Sequence, residues 1–249
     1  MDRKKDTLDK LVIFLAKRDG IDKLVKTFQY VGKLGHYNLE RRNPQLADRC
    51  KKLEVAAGLS RKAFRTGRFL TGFNALRTTT FPDHKLQVLS IFGYGGEMVY
   101  WFFDHFLWLS RVGVLDPELA RRMSYISAFG EGFGYIFFII ADLIVIRRGL
   151  LAEARYKSQI TELEELQVMG VDLKGDNSVA TQVKRIRSKI AAVRLQRIMS
   201  VMSIIANVSD LIIALADVDP NPFVCHPVTL GISGLASACS GWYKNWPDS

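Results

Sequence analysis

The chain is poor in the residues that build chemical sites. Its 249 residues include four histidines and three cysteines. Cys50, Cys225 and Cys239 form no C-x-x-C pair and no even set, so they read as small buried or lipid-facing residues rather than a disulfide framework. His36, His84, His105 and His226 do not pair at metal-ligand spacing, and Asp104 and His105 point to different helix faces. There is no G-x-x-x-x-G-K-[ST] phosphate loop. The glycines at 130, 132 and 134 miss the G-x-G-x-x-G spacing because position 135 is Tyr, and Gly231-Ile232-Ser233-Gly234 lacks the spacing of a nucleophile elbow. The sequence therefore points away from an enzyme, from a metal and from any cofactor. The opening MDRKKDTLDK is too charged for a signal peptide, so insertion after synthesis is expected.

Basic and apolar residues are abundant, and both are unevenly spread. Lys and Arg number 35 against 25 Asp and Glu, for a net charge of +10, while 48% of residues are apolar. Basic charge alone fits a nucleic acid or an anionic membrane. No nucleic-acid-binding motif is present, and long apolar blocks favour the membrane. Four such blocks lie at 86–110, 123–146, 198–216 and 220–243, each long enough to cross a hydrocarbon core, which takes about 20 helical residues.

The loop charges predict an orientation. With four spans, 20 basic residues precede the first, 11 lie between the second and third, and Lys244 follows the fourth; Arg111, Arg121 and Arg122 fall on the other side. That split of 32 to 3 follows the positive-inside rule and puts both termini in the cytosol. The expected fold is all-α, with N-terminal amphipathic helices and about four transmembrane or membrane-embedded helices. It divides into a cytosolic amphipathic region (1–85), a first membrane pair (86–146), a charged linker with a basic helix at the membrane surface (147–197), a second pair (198–243) and a short cytosolic tail (244–249).

Helical spacing predicts amphipathic helices over 7–17 and from an Asp19 cap onward, with Ile21, Leu24, Val25, Phe28, Val31 and Leu34 on the apolar face and Asp22, Lys23, Lys26 and Lys33 opposite. A third starts at Asn43-Pro44. Over 59–76 the apolar residues Leu59, Ala63, Leu70 and Phe73 share a narrow arc, Arg61, Arg65 and Arg68 fall opposite, Lys62 flanks them, and no acid interrupts. A basic face behind an apolar stripe is the pattern of a helix lying in the interface of an anionic membrane. Inside the apolar blocks, Glu97 and Asp104 share one face and Glu131 and Asp142 another, a polar seam between packed helices. Gly130 and Gly134 form a G-x-x-x-G pair that permits close helix approach and self-association.

Three stretches resemble the peroxisomal biogenesis factor 11 (peroxin 11) family, plant-type members in particular: RDGIDKLVKTFQY at 18–30, SRKAFRTGRFL at 60–70 and GEMVYWFFDHFLWLSRVG at 96–113. The glycine- and serine-rich last block, ending SGWYK, fits as well. The resemblance implies a peroxisomal membrane protein that curves, tubulates and elongates the membrane before fission. It also implies assembly with itself and paralogues, and partners in the dynamin-dependent fission machinery with its tail-anchored adaptor. The ending Asn245-Trp246-Pro247-Asp248-Ser249 carries no dibasic retrieval signal. The rival expectation is a small-solute channel or transporter lined by Glu97, Asp104, Glu131 and Asp142.

Overall fold

A computed structural model describes residues 6–81, 83–169 and 178–247; the linker position Asp176, like Met1 and Ser249, lies outside the described residues. These fold into eight helices, with no strand among them: α1 (Thr7–Ala16), α2 (Arg18–Leu39), α3 (Pro44–Phe64), α4 (Phe69–Thr78), α5 (His84–Arg111), α6 (Pro117–Val168), α7 (Val179–Val218) and α8 (Pro227–Asn245). The starts follow local chemistry. Asp6 and Asp9 form a reciprocal capping box on α1, Asn43 caps α3 with Pro44 behind it, and the Asp83 carboxylate accepts from Leu86 N at the head of α5.

Two expected features differ. Asp19 lies in the first turn of α2 rather than capping it, and Lys17 takes the cap position without a side-chain bond. The turn from α1 to α2 is so tight that a Cβ at Gly20 would sit 1.8 Å from Phe14 O. The helix expected over 59–76 is broken in two. Gly67 adopts φ +73, a left-handed conformation that ends a right-handed helix. Arg18 reaches across from α2, donating from Nε to Phe64 O at 2.5 Å and from Nη2 to Thr66 O. One guanidinium thereby satisfies carbonyls that the end of α3 leaves open.

The chain divides into two compact units, one of residues up to Ala141 together with those from Met202, the other Asp142–Val201. In the first, α2 lies along α8 on a stripe of small residues. A Cβ at Gly231 would meet Leu34 at 2.4 Å, and one at Gly234 would meet Tyr30 at 2.1 Å. Phe14 of α1 is fully buried against Trp242, with ring centroids 4.6 Å apart, and beside Trp246 at 5.8 Å. The start of α1–α2 and the end of α8 therefore meet at one end of this unit. On another side α5 crosses α6 backbone to backbone. The second unit is a helical hairpin from the C-terminal part of α6 and the N-terminal part of α7, clamped by Glu153, which accepts from Arg194 and Arg197 at 2.6 Å each and faces Lys157 at 3.0 Å.

Among the described residues, two helices are long and apolar enough to cross a membrane by length and composition, α6 (over Pro117–Leu166) and α7 (Val179–Val218). The block at 86–110 lies in α5 and the block at 220–243 is helical from Pro227 on, as α8, but both fall short of that measure. Glu97 and Asp104 dilute the first, and glycine and serine the second.

Candidate membrane interface and buried charge cluster

The segment 59–76 keeps its amphipathic character and points its basic side inward. Leu70 and Phe73 are 57% and 59% exposed, and Leu59 and Ala63 are part-exposed. Arg61, by contrast, is buried, with Nε 3.2 Å from Asp22 Oδ1 and Nη1 donating to Gln29 Oε1 at 2.8 Å. Lys62 is bonded to Asp104 Oδ1. Arg65 donates from Nη1 to the Tyr100 hydroxyl at 2.5 Å, lies 3.5 Å from Asp22 and 3.7 Å from Asp104, and stacks 4.8 Å over Trp101. Arg68 pairs with Asp19 at 2.5 Å and also covers Trp101, at 4.5 Å. The basic face expected against lipid headgroups is therefore occupied by carboxylates and rings of the protein itself.

The physical reason lies in the partners. Asp22 and Asp104 are 1% and 2% exposed, and a carboxylate that deep must be paired or neutralised. Burial pushes the Asp22 carboxyl up, but Arg61 and Arg65, with Lys23 and Arg68, outweigh it and hold Asp22 well below the usual carboxylate range. Asp22 Oδ2, Arg65 Nε and Asp104 Oδ2 have no hydrogen-bond partner within the protein, so the cluster depends on charge pairing to offset desolvation.

Helix α2 repeats the inversion. The sequence put Phe28 and Val31 on its apolar face and Asp22 and Lys26 opposite, and it is Asp22 and Lys26 that are buried while Phe28 and Val31 are half-exposed. Lys26 Nζ binds Asp210 Oδ1 at 2.5 Å and the Ser237 hydroxyl at 2.6 Å, and that hydroxyl donates to Asp210 Oδ2 at 2.7 Å. Sequence reasoning missed this triad. The available signal was Asp210 inside an apolar block, which requires a cation from another helix.

The four intramembrane acids do not converge as one set. Asp104 joins the arginine cluster, and Glu131 accepts from the Tyr135 hydroxyl at 2.8 Å. Glu97 is part-exposed and lines a polar cavity of about 270 Å³ with Glu131. A second polar cavity of about 180 Å³ reaches Arg111, Ser124 and Asp217; both cavities are lined by Lys26, Arg65, Glu131 and Asp210. Asp142 belongs to the hairpin unit and is part-exposed. Gly130 and Gly134 face α5 of the same chain. A Cβ at Gly96 would lie 2.6 Å from both Gly130 O and Gly134 N, so these glycines set an intramolecular crossing. Among the described residues, no three His, Cys, Asp or Glu side chains are placed to hold a metal ion.

Along α4, α5 and the first half of α6 the outer surface of this unit is apolar, while α3 exposes Arg49, Lys51 and Lys52. Ile91, Phe92, Phe102, Phe129, Phe133 and Ile136 are all exposed, as are Leu70 and Phe73. Apolar side chains outside and ion pairs inside invert the ordinary pattern of a water-soluble domain.

Comparison with known proteins accords with this geometry. The peroxisomal biogenesis factor 11 (PEX11) family model matches residues 8–246. Peroxisomal membrane protein 11-4 of Oryza sativa subsp. japonica is 57% identical over 242 residues, covering 97% of this chain and 98% of the rice protein. Peroxisomal membrane protein 11B of Arabidopsis thaliana is 55% identical over the same length and coverage. The peroxisomal membrane protein 11 homolog of Dictyostelium discoideum is 29% identical over 245 residues, or 96% of this chain and 94% of that protein. No solved structure matches the chain.

Proposed function

The chain belongs to the peroxisomal biogenesis factor 11 family, and from that premise we propose that it resides in the peroxisomal membrane and curves, tubulates and elongates it before fission. The observation that carries the proposal is the inverted unit, with Leu70 and Phe73 at one edge of its exposed apolar surface. Phe69 meets Phe102 edge-on with centroids 5.8 Å apart, so α4 is held against α5 as a short, rigid apolar ridge. Burying Leu70 and Phe73 in lipid stabilises the bound state by about 1.5–3 kcal/mol each. A shallow ridge that occupies area in one leaflet favours curvature toward that leaflet.

The proposed topology is multi-pass with both termini cytosolic. It is supported by the meeting of α1 with the end of α8 through Phe14, Trp242 and Trp246, and by the 32 to 3 division of basic residues. The proposed partners are further copies of the chain, its paralogues, and the dynamin-related fission machinery with its tail-anchored adaptor. No chemical step is part of the proposal.

A solute passage is the second reading, favoured by the two polar cavities that share Lys26, Arg65, Glu131 and Asp210. Full-length protein in liposomes separates the two. Shape change gives tubules by electron microscopy, lost in the Leu70→Glu/Phe73→Glu variant, with an entrapped dye retained. Dye release from vesicles that stay round, unaltered by that double substitution, would instead support passage and contradict membrane shaping.

A further inference from the structure

The hairpin unit carries a second basic surface, organised differently from the first. In α7, Lys184, Arg185, Arg187, Lys189, Arg194 and Arg197 lie within 14 residues, and no acid occurs from Val179 to Ser209. Lys184, Arg185, Arg187 and Lys189 are exposed. Among the described residues no carboxylate lies within ion-pairing distance of Lys184, Arg185 or Arg187, because Glu153 is taken by Lys157, Arg194 and Arg197. Glu162, Glu164 and Glu165 are exposed on α6 and pair with none of them.

At 100° per residue, Lys184, Arg187, Ala191, Arg194, Leu195 and Ile198 occupy one flank of α7. With Ile160 of α6, most of that flank lines an open, largely apolar groove of about 520 Å³. Leu195 and Ile198 remain substantially exposed there. Beyond Ile198 the helix continues into the apolar run 198–216, the part of α7 able to cross a membrane. Among the described residues Lys184 and Arg187 have no carboxylate partner, and such cations beside a segment apolar enough to span suit an anionic leaflet. The apolar floor between them suits acyl chain and glycerol backbone rather than a solvated polyanion.

We infer that the flank of α7 from Lys184 to Ile198, with Ile160, is a binding surface for anionic glycerophospholipid. The lipid's anionic headgroup sits against Lys184 and Arg187, and the first methylenes lie in the groove. Anionic-lipid dependence thereby belongs to the hairpin and not to the segment 59–76, whose basic groups are already paired. The inference does not rest on membrane bending.

The test uses full-length protein with Cys50, Cys225 and Cys239 replaced by Ser and a bimane on Ala191→Cys, reconstituted in phosphatidylcholine vesicles. Brominated phosphatidylserine and brominated phosphatidylcholine are compared as quenchers at equal mole fraction. The expected result is about threefold stronger quenching by the serine lipid, reduced to parity as salt shortens the Debye length to a few Å. Lys184→Ala/Arg187→Ala should abolish the excess, while Lys184→Arg/Arg187→Lys keeps it. Equal quenching by the two lipids in the parent protein would overturn the inference, as would an excess that survives high salt. A label shielded in proportion to protein density, equally in both lipids, would assign the groove to a second copy and overturn it too. The salt titration needs neither charge substitution, so a Lys184 or Arg187 variant that fails to fold leaves the test decisive.

Discussion

Two basic stretches of this chain look alike as sequence and are opposite as structure. Arg61, Lys62, Arg65 and Arg68 recur along one helical face with no acid among them, and so do Lys184, Arg187 and Arg194. The first group is drawn inward onto Asp19, Asp22 and Asp104. Of the second, Arg194 pairs with Glu153, and Lys184 and Arg187 remain exposed. Local pattern decides that a helix is amphipathic. Which face turns inward is decided by whether other helices bring carboxylates to meet it, and by what lies outside. The surface beside those arginines exposes Phe and Ile, whereas the helix pair exposes charge.

The largest effect that would sharpen this contrast comes from removing a buried carboxylate. Asp104→Ala leaves Lys62 buried without a charge partner and Arg65 with Asp22 alone, and should destabilise the helical bundle by about 3–5 kcal/mol. Arg185→Ala, on the exposed stretch, should change stability by less than about 0.5 kcal/mol. Thermal unfolding of both variants in detergent, followed by circular dichroism, compares them directly, and equal shifts would break the distinction.

Crossing glycines rank next. Gly134→Leu places a side chain against Gly93 O, 2.8 Å from a bare Cβ. It should cost roughly 1–3 kcal/mol by overpacking where α5 crosses α6. Circular dichroism thermal scans at several protein concentrations check it. A loss confined to oligomer yield, with the melting of the chain unchanged, would instead return these glycines to a role between copies.

Acid titration probes the same cluster more gently. Asp22 is held below its unfolded value, so the stability it contributes is present above about pH 4 and is lost as pH falls through its lower folded value. Asp22→Asn should flatten that part of the stability–pH curve in detergent, and a curve that keeps its acid limb would assign the limb to other carboxyls.

A small loss is expected for Gly67→Ala. It forces a Cβ into φ +73 and should cost about 1 kcal/mol at the α3–α4 corner. The same melting experiment reads it.

Much of this was legible from the residues, for identifiable reasons. The start of α3 announces itself through Asn43-Pro44, because caps are local, and α1 through its helical spacing. The four apolar blocks and the G-x-x-x-G of α6 are likewise visible as composition and spacing. Hidden were the breaks and the pairings. Gly67 in 59–76 reads as a tolerated helix glycine until Arg18, 46 residues from Phe64, is known to take the Phe64 carbonyl. Lys26 reads as solvated until Asp210 and Ser237 arrive from α7 and α8. Periodicity reports that two faces differ and does not report which solvent each one meets.

That unknown is the central claim, and nitroxide accessibility measures it. Spin labels at Phe73→Cys and Phe133→Cys, in full-length protein reconstituted in vesicles, would be read against oxygen and against a water-soluble nickel chelate, with Arg185→Cys as the aqueous reference. Both apolar sites should relax strongly with oxygen and hardly with nickel, the reverse of position 185. Nickel accessibility at Phe73 and Phe133 equal to that at Arg185 would mean that the apolar surface faces water, and the inverted bundle would be wrong.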